Sequence, residues 1–430
     1  MNKVQIIKFN GGGTLIYQKS NRNKSTSVAV GFAVGTQNNT QNGIAHFCEH
    51  MLFKGTGKRT KDELEKDLRE YCGNGFNAYT GQDQIVFVFN RVNSLLPKAM
   101  ELASDILLNS NMTKKNIDNE RGVILEEFNM NEDSCKYDIR NEHYSKILNR
   151  QFNNRIAIGN ADDLKLITPK ALIDFKKNCF TRENFIVSVV GSESLLTIKR
   201  LIKKYFLKSL PITENAPIEH KISVVGETSY QIVKKETDNV MVDISFKSVG
   251  WNDEIRFPVL KFIKEYLTGG VDGVLFKNVR DKGLAYSIYT TTDAYDENGI
   301  FTISFESSKD NIKKVIDEIG KTIMDIKKNG IEEEEIQKTK NNFQYHMYEK
   351  DSTNFQKCIS NVLKVVVNEP IDEDAYLKKI LNTTKEVIDE YFVELFDMAN
   401  EMYVTIGGKI KQGEIYTIDE IKNKILKTVK

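Results

Sequence analysis

VAVGFAVGTQNN (28–39) is a run of β-branched, small and aromatic residues that stops at Gly35. VMVDISFKSVGWNDE (240–254) stops in the same way at Gly250, 215 positions later. Runs of this kind closed by glycine carry the strand signal. A second pair keeps almost the same spacing: NFIVSVVGS (184–192) reaches Gly191, and EMYVTIGGK (401–409) reaches Gly407, 216 positions on. Further strand-like runs (QIVFVFNRV, 84–92; GIFTISF, 299–305) alternate with helix-like ones. The latter include TKDELEKDLREY (60–71), opened by a Thr60–Glu63 capping box, SLLPKAMELASDILLNS (94–110) and IKKVIDEIGKTIMDIKK (312–328). Two anchor pairs at nearly one offset indicate a duplicated unit of about two hundred residues. The expected fold is α+β, with two homologous α/β-roll halves, each a largely antiparallel sheet with packed helices. The halves are placed at 1–210 and 222–430. The aperiodic SLPITENAPIEHK (209–221) lies between them and supplies the linker, 211–221.

A chain of 430 residues has room for two such cores. Lysine and arginine number 61 and aspartate and glutamate 60, so no overall field draws the chain to nucleic acid or anionic lipid, and neither is expected as a partner. No run approaches eighteen apolar residues. The first residues, MNKVQIIKFNGGGTLIY, show no apolar signal region. A cytoplasmic location is therefore expected, matched by five scattered cysteines without a CxxC pair. GGG (11–13) lacks the lysine and helix of a phosphate loop. His143, His220 and His346 have no neighbours at metal-ligand spacing and read as ordinary polar residues.

GIAHFCEHMLFKG (43–55) concentrates chemistry. On a helix His46 and His50 are one turn apart on one face, with Glu49 beside them. Two imidazoles so placed suit Zn²⁺, and an adjacent carboxylate suits the proton transfers of metal-assisted hydrolysis. The order H-x-x-E-H is that of the inverted metalloproteases. Cys48, two positions from either histidine, points off that face and reads as a buried helix cysteine. NERGVILEEFNMNED (119–133) offers further carboxylates: Glu120 and Glu127 lie two turns apart along one face. One glutamate here would complete a His₂Glu site and another would orient a ligating imidazole. Spacing alone does not choose between Glu126 and Glu127.

HFCEHMLFKGT (46–56) followed by ERGVILEE (120–127) resembles the M16 family of zinc peptidases, the inverzincins. The resemblance implies that the last glutamate of E-R-x-V-I-x-x-E, Glu127, is the third ligand, with Glu120 behind the ligands. NAYTGQDQIVF (77–87) is similar to the family's active-site edge strand, implying that Asn77, Ala78 and Tyr79 line the bound substrate. The segment 156–191 resembles the family's next helix and strand. LFKNVRDKGLAYSIYT (275–290) resembles the second-half signature in which an arginine and a tyrosine approach the zinc, here Arg280 and Tyr286. It is one residue shorter than the usual R-x-x-x-G-L-x-Y. The implied activity is that of a zinc metalloendopeptidase. Peptides or unfolded segments would be bound as an added strand inside a chamber that the halves close like a clamshell. A chain of this length implies a dimer, either a homodimer or a heterodimer with a related chain. The alternative is a non-catalytic or partner-dependent subunit of a heteromeric processing peptidase. The duplication bears on stoichiometry: 215 positions after His46, Glu49 and His50 stand Lys261, Lys264 and Glu265. Those residues form no second histidine site, so one zinc per chain is expected.

Overall fold

The computed structural model describes residues 3–21, 24–132, 135–148, 157–159, 161–213, 223–350 and 353–427. Most of the expected linker, and His220 with it, lies outside the described residues. Six strands build the first sheet: β1 (Gln5–Lys8), β2 (Thr14–Lys19), β3 (Ser25–Phe32), β4 (Asn77–Thr80), β5 (Ile85–Val92) and β6 (Phe185–Gly191). Their order is β1-β2-β6-β3-β5-β4. Five more build the second: β7 (Ser229–Lys234), β8 (Asn239–Val249), β9 (Ser287–Ala294), β10 (Asn298–Ser308) and β11 (Met402–Gly408), in the order β7-β11-β8-β10-β9.

With β1 set aside the two orders correspond strand for strand. Each sheet has one parallel pair, β2 with β6 (Thr14↔Ile186) and β7 with β11 (Ser229↔Tyr403), and is otherwise antiparallel. The fold is thus α+β and duplicated, as the glycine-closed runs imply.

The chain divides into two compact units, and neither is one continuous stretch. The first draws its described residues from 1–131, 153–220 and 350–372. Odd-numbered residues of β5 and β6 (among them Ile85, Phe87, Phe89, Phe185, Val187 and Val189) and even-numbered Val28, Val30 and Phe32 of β3 share one core. Helices Ile44–Met51, Leu96–Asn109 and Pro169–Cys179 pack there through Phe47, Met51, Leu102, Ile106, Leu172 and Phe175. On the other face Ile16, Ala29, Val86, Val88 and Ile186 are covered by Cys358, Val362 and Val366 of helix Asn354–Val366. Because both faces are covered, every residue of β6 is buried, which accounts for its continuous apolar reading. Each side chain so removed from water contributes ~1.5–3 kcal/mol before entropy is charged.

The second unit takes its described residues from 132–152, 221–349 and 373–430. One face of its sheet stacks Phe246 and Phe301 against Phe396, with ring centroids 5.0 and 5.9 Å apart. The other face is polar, and helix Cys135–Ile147 sits on it. His143 is 1% exposed, bonded through Nδ1 to Thr405 Oγ1 (2.8 Å) and through Nε2 to Ser245 Oγ (2.6 Å). Ser245 in turn shares a hydrogen bond with Thr302. Asp243 accepts from Ser304 (2.6 Å), and Tyr144 donates to Asp293. His143 is therefore more than an ordinary polar residue: it is the hub of a buried network that satisfies the hydroxyls of three strands. Each unit thus contains a helix from the other half of the sequence.

Candidate metal centre

Helix Ile44–Met51 starts at Gly43, whose φ is +82°. A Cβ there would stand 2.4 Å from the carbonyl oxygen of Ile158, so only glycine lets the chain enter the helix at this angle. Ile44, Ala45, Phe47, Cys48 and Met51 are drawn into the first core. Helical phase then leaves His46, Glu49 and His50 together on the opposite flank. Their potential ligand atoms lie within 4.8 Å of one another. Cys48 is fully buried, and burial pushes its thiol up to about 12, an inert packing residue as its position in the helix implies.

Helix Lys114–Glu132 brings the acidic partners. Glu127 points both carboxylate oxygens at the histidines: Oε1 is 3.7 Å from His46 Nε2 and Oε2 is 3.3 Å from His50 Nε2. The two imidazole rings are 4.5 Å apart. Glu126 faces solvent, so helical phase separates two neighbours that spacing leaves equivalent. Glu120, 4% exposed, accepts from His50 Nδ1 at 2.8 Å, and its second oxygen pairs with Lys54 Nζ. The H-x-x-E-H motif singles out neither Lys54 nor Thr80. Thr80 donates to Glu49 Oε2 at 3.4 Å. Its signal was strand alternation, which puts Ala78 and Thr80 on one face of β4.

With Nδ1–H of a neutral His50 donating to Glu120, the Nε2 lone pair faces a carboxylate oxygen at 3.3 Å, an arrangement that requires a positive charge between them. The titration tendencies agree. Burial, then His50, lowers the His46 pKa to about 3, keeping that imidazole in its ligand form. Burial opposes charging His50, but Glu120, Glu49 and Glu127 together raise its pKa. A proton can therefore stand in for a cation there, to be displaced when a metal enters. Burial pushes Glu49 up to about 7, with Glu127 and Glu120 raising it further and His50 and Thr80 opposing. His46 Nδ1 is buried without a partner among the described residues. The residues fit a zinc ion, with two imidazole nitrogens and one carboxylate as ligands.

Of the remaining expected site residues, Asn77, Ala78 and Tyr79 precede Thr80 in β4, which ends its sheet and, among the described residues, pairs with β5 alone. Arg280 and Tyr286 belong to the second unit. There Arg280 Nη1 donates to the Tyr286 carbonyl (3.0 Å), and the Tyr286 N–H donates to Glu306 O (2.8 Å), leaving the ring 74% exposed. Glu265, at the duplicated position of His50, pairs with His346 Nδ1 at 2.7 Å. Among its described residues the second unit thus holds a histidine–glutamate pair where the first holds its larger cluster.

The family model for the insulinases (peptidase family M16) matches residues 14–161, and the model for the M16 inactive domain matches 166–343. The uncharacterised zinc protease YmxG of Bacillus subtilis is 28% identical over 73% of this chain and 76% of its own. The beta subunit of the mitochondrial-processing peptidase of Neurospora crassa is 26% identical over 71% of this chain and 67% of its own. A protease from Helicobacter pylori of known structure shares the fold, with TM-score 0.84 at 19% identity over 95% of this chain and 99% of its own. Among the described residues no helix is long and apolar enough to cross a membrane. With M16 models matching 14–161 and 166–343, together most of its length, the chain belongs to peptidase family M16.

Proposed function

We propose that the chain is a zinc-dependent endopeptidase, with 1–210 as the catalytic half and 222–430 completing a chamber around the peptide. The observation that carries this reading is the convergence of His46, His50 and Glu127 with Glu49 alongside. Those three side chains would hold one zinc per chain. When bound, the ion would supply Lewis acidity for hydrolysis of an amide.

Glu49 then does the proton work. Burial raises its pKa in the metal-free site, and a divalent cation beside it would draw that pKa back down, keeping Glu49 a carboxylate able to take a proton. As carboxylate it takes a proton from the attacking water and delivers it to the departing amine nitrogen. Thr80 steadies one oxygen of Glu49, and Glu120 fixes the orientation of His50. An extended peptide adds to the open edge of β4 beside Asn77, Ala78 and Tyr79. Recognition there is by main-chain hydrogen bonds and tolerates many sequences. On closure the exposed Tyr286 donates to the developing oxyanion, with Arg280 bracing its backbone. The name of the fungal relative, a subunit, supports pairing with a second copy or a related chain.

The test uses purified chain, a library of unstructured quenched peptides, and metal analysis. Cleavage that stops with a chelator and returns with one equivalent of zinc is expected. Cleavage indifferent to chelation would overturn the mechanism. A zinc-loaded chain inert alone and active only with a related chain would establish the partner-dependent alternative.

A further inference from the structure

We propose that Lys54 is a positioning residue of the metal centre, acting through Glu120 on the ligand His50. The proposal rests on the zinc reading above. Lys54 stands four residues after His50, in the short loop that follows helix Ile44–Met51, and three observations remove it from the class of surface lysines.

The first is that the loop is pinned. Gly57 N–H donates to Asn109 O (3.1 Å) and Asn111 N–H donates to Gly55 O (2.9 Å), around an isolated Thr56–Ser110 bridge. Gly55 turns the chain at φ +96°. The second is that Asn116, in the opening turn of helix Lys114–Glu132, donates from Nδ2 to the Lys54 carbonyl at 3.1 Å. The backbone of Lys54 is thus tied to the helix that carries Glu120 and Glu127. The third is the division of labour on Glu120. One oxygen accepts from His50 Nδ1 and the other pairs with Lys54 Nζ, while the carboxylate itself is 4% exposed.

A buried carboxylate with one anchored oxygen can still turn about its last torsion, a soft one. With both oxygens anchored it cannot. Lys54 therefore sets the plane of Glu120, Glu120 sets the tilt and tautomer of His50, and the Nε2 lone pair is aimed at Glu127 before any metal arrives. Partners behind a metal ligand typically account for roughly 10–100-fold in metal affinity. Lys54 stands one step further back, yet it holds the Glu120 oxygen that His50 does not reach.

The experiment compares wild type, Lys54→Met and Lys54→Arg as full-length chains, with zinc dissociation constants read by competition with a chromophoric chelator. Lys54→Met keeps most of the apolar stem, and a roughly tenfold or greater loss of zinc affinity is expected. Lys54→Arg, which retains the charge and the donors, recovers most of it. A second readout needs no metal: ¹⁵N shifts of the His50 ring in zinc-free protein at a pH where the ring is neutral. Wild type shows the Nδ1–H tautomer, whereas Lys54→Met shows a mixture. Combining Lys54→Met with Glu120→Gln should cost no more than Glu120→Gln alone, since both act along one path. Should Lys54→Met fail to fold, Lys54→Gln carries the same comparison.

Wild type that binds zinc together with a Lys54→Met chain of equal affinity and unchanged tautomer overturns the role of Lys54. Wild type that binds no zinc overturns the metal centre itself.

Discussion

Replacing Glu49 by glutamine should disable the chain and stabilise its metal-free form, two effects of opposite sign at one atom. Burial moves the Glu49 pKa from 4.5 to about 7 in the metal-free fold. The folded chain therefore holds that proton more tightly than the unfolded chain does. Native stability is untouched below pH ~4.5, falls as pH climbs towards 7, and stays reduced above it. At ~1.4 kcal/mol per tenfold, the full cost at pH 8 is about 3 kcal/mol. Glutamine does not ionise and avoids it. Hydrogen exchange of the amides in helix Ile44–Met51, measured with chelator present, reads the difference. At pH 8 protection in Glu49→Gln should exceed wild type by roughly 100-fold, and at pH 5 the two should lie within about 1 kcal/mol. With zinc restored, the variant should keep one equivalent and lose about 10²–10⁴-fold in turnover, ~3–5 kcal/mol of barrier. Equal protection at both pH values would refute the account of its burial. Undiminished turnover would refute its role as base.

Other outcomes follow from the same geometry. Glu127→Gln should lower zinc affinity by about 10²-fold or more while Glu126→Gln leaves it unchanged, as measured by chelator competition. Metal analysis of desalted wild type should give one zinc per chain, and two would contradict the single cluster among the described residues. Gly43→Ala should cost roughly 2 kcal/mol or more in urea unfolding and reduce zinc occupancy, since an added methyl meets Ile158 O at 2.4 Å. His143→Leu should cost about 2–4 kcal/mol by stranding buried hydroxyls of β8 and β11. The fluorescence of Trp251, the only tryptophan and a member of the second unit, reports it.

The duplicated plan was legible because β3, β6, β8 and β11 lie inside their sheets and are buried along most of their length, so each carries a run of β-branched, small and aromatic residues that closes at a glycine. His46, Glu49 and His50 were legible because one helical turn joins them. The E-R-x-V-I-x-x-E resemblance singles out Glu127 over Glu126, whereas bare spacing does not, because the choice depends on the rotation of helix Lys114–Glu132 relative to the histidines. Thr80 and Lys54 act through single hydrogen bonds or ion pairs to charged neighbours, and a lone threonine or lysine carries no period to betray it. Helix Cys135–Ile147 escaped for a related reason. The side chains it turns to its sheet, His143 and Tyr144, meet hydroxyls and a carboxylate there, so it shows no apolar stripe. The short edge strand β1 and the half-buried β7 lack the runs that announce a core strand.

The exchange of helices also sets a clock on synthesis. The ribosome finishes β6 at Gly191, but Cys358, Val362 and Val366, which cover Ile16, Ala29 and Val86, are still to be made. At ~5–20 residues per second, the first sheet waits about 8–35 s with an apolar back exposed. During that interval the nascent chain is a substrate for chaperones or for its neighbours on the same message. A stop codon placed after residue 210 would make the interval permanent: His46, His50 and Glu127 would all be present, on a sheet that has lost its cover.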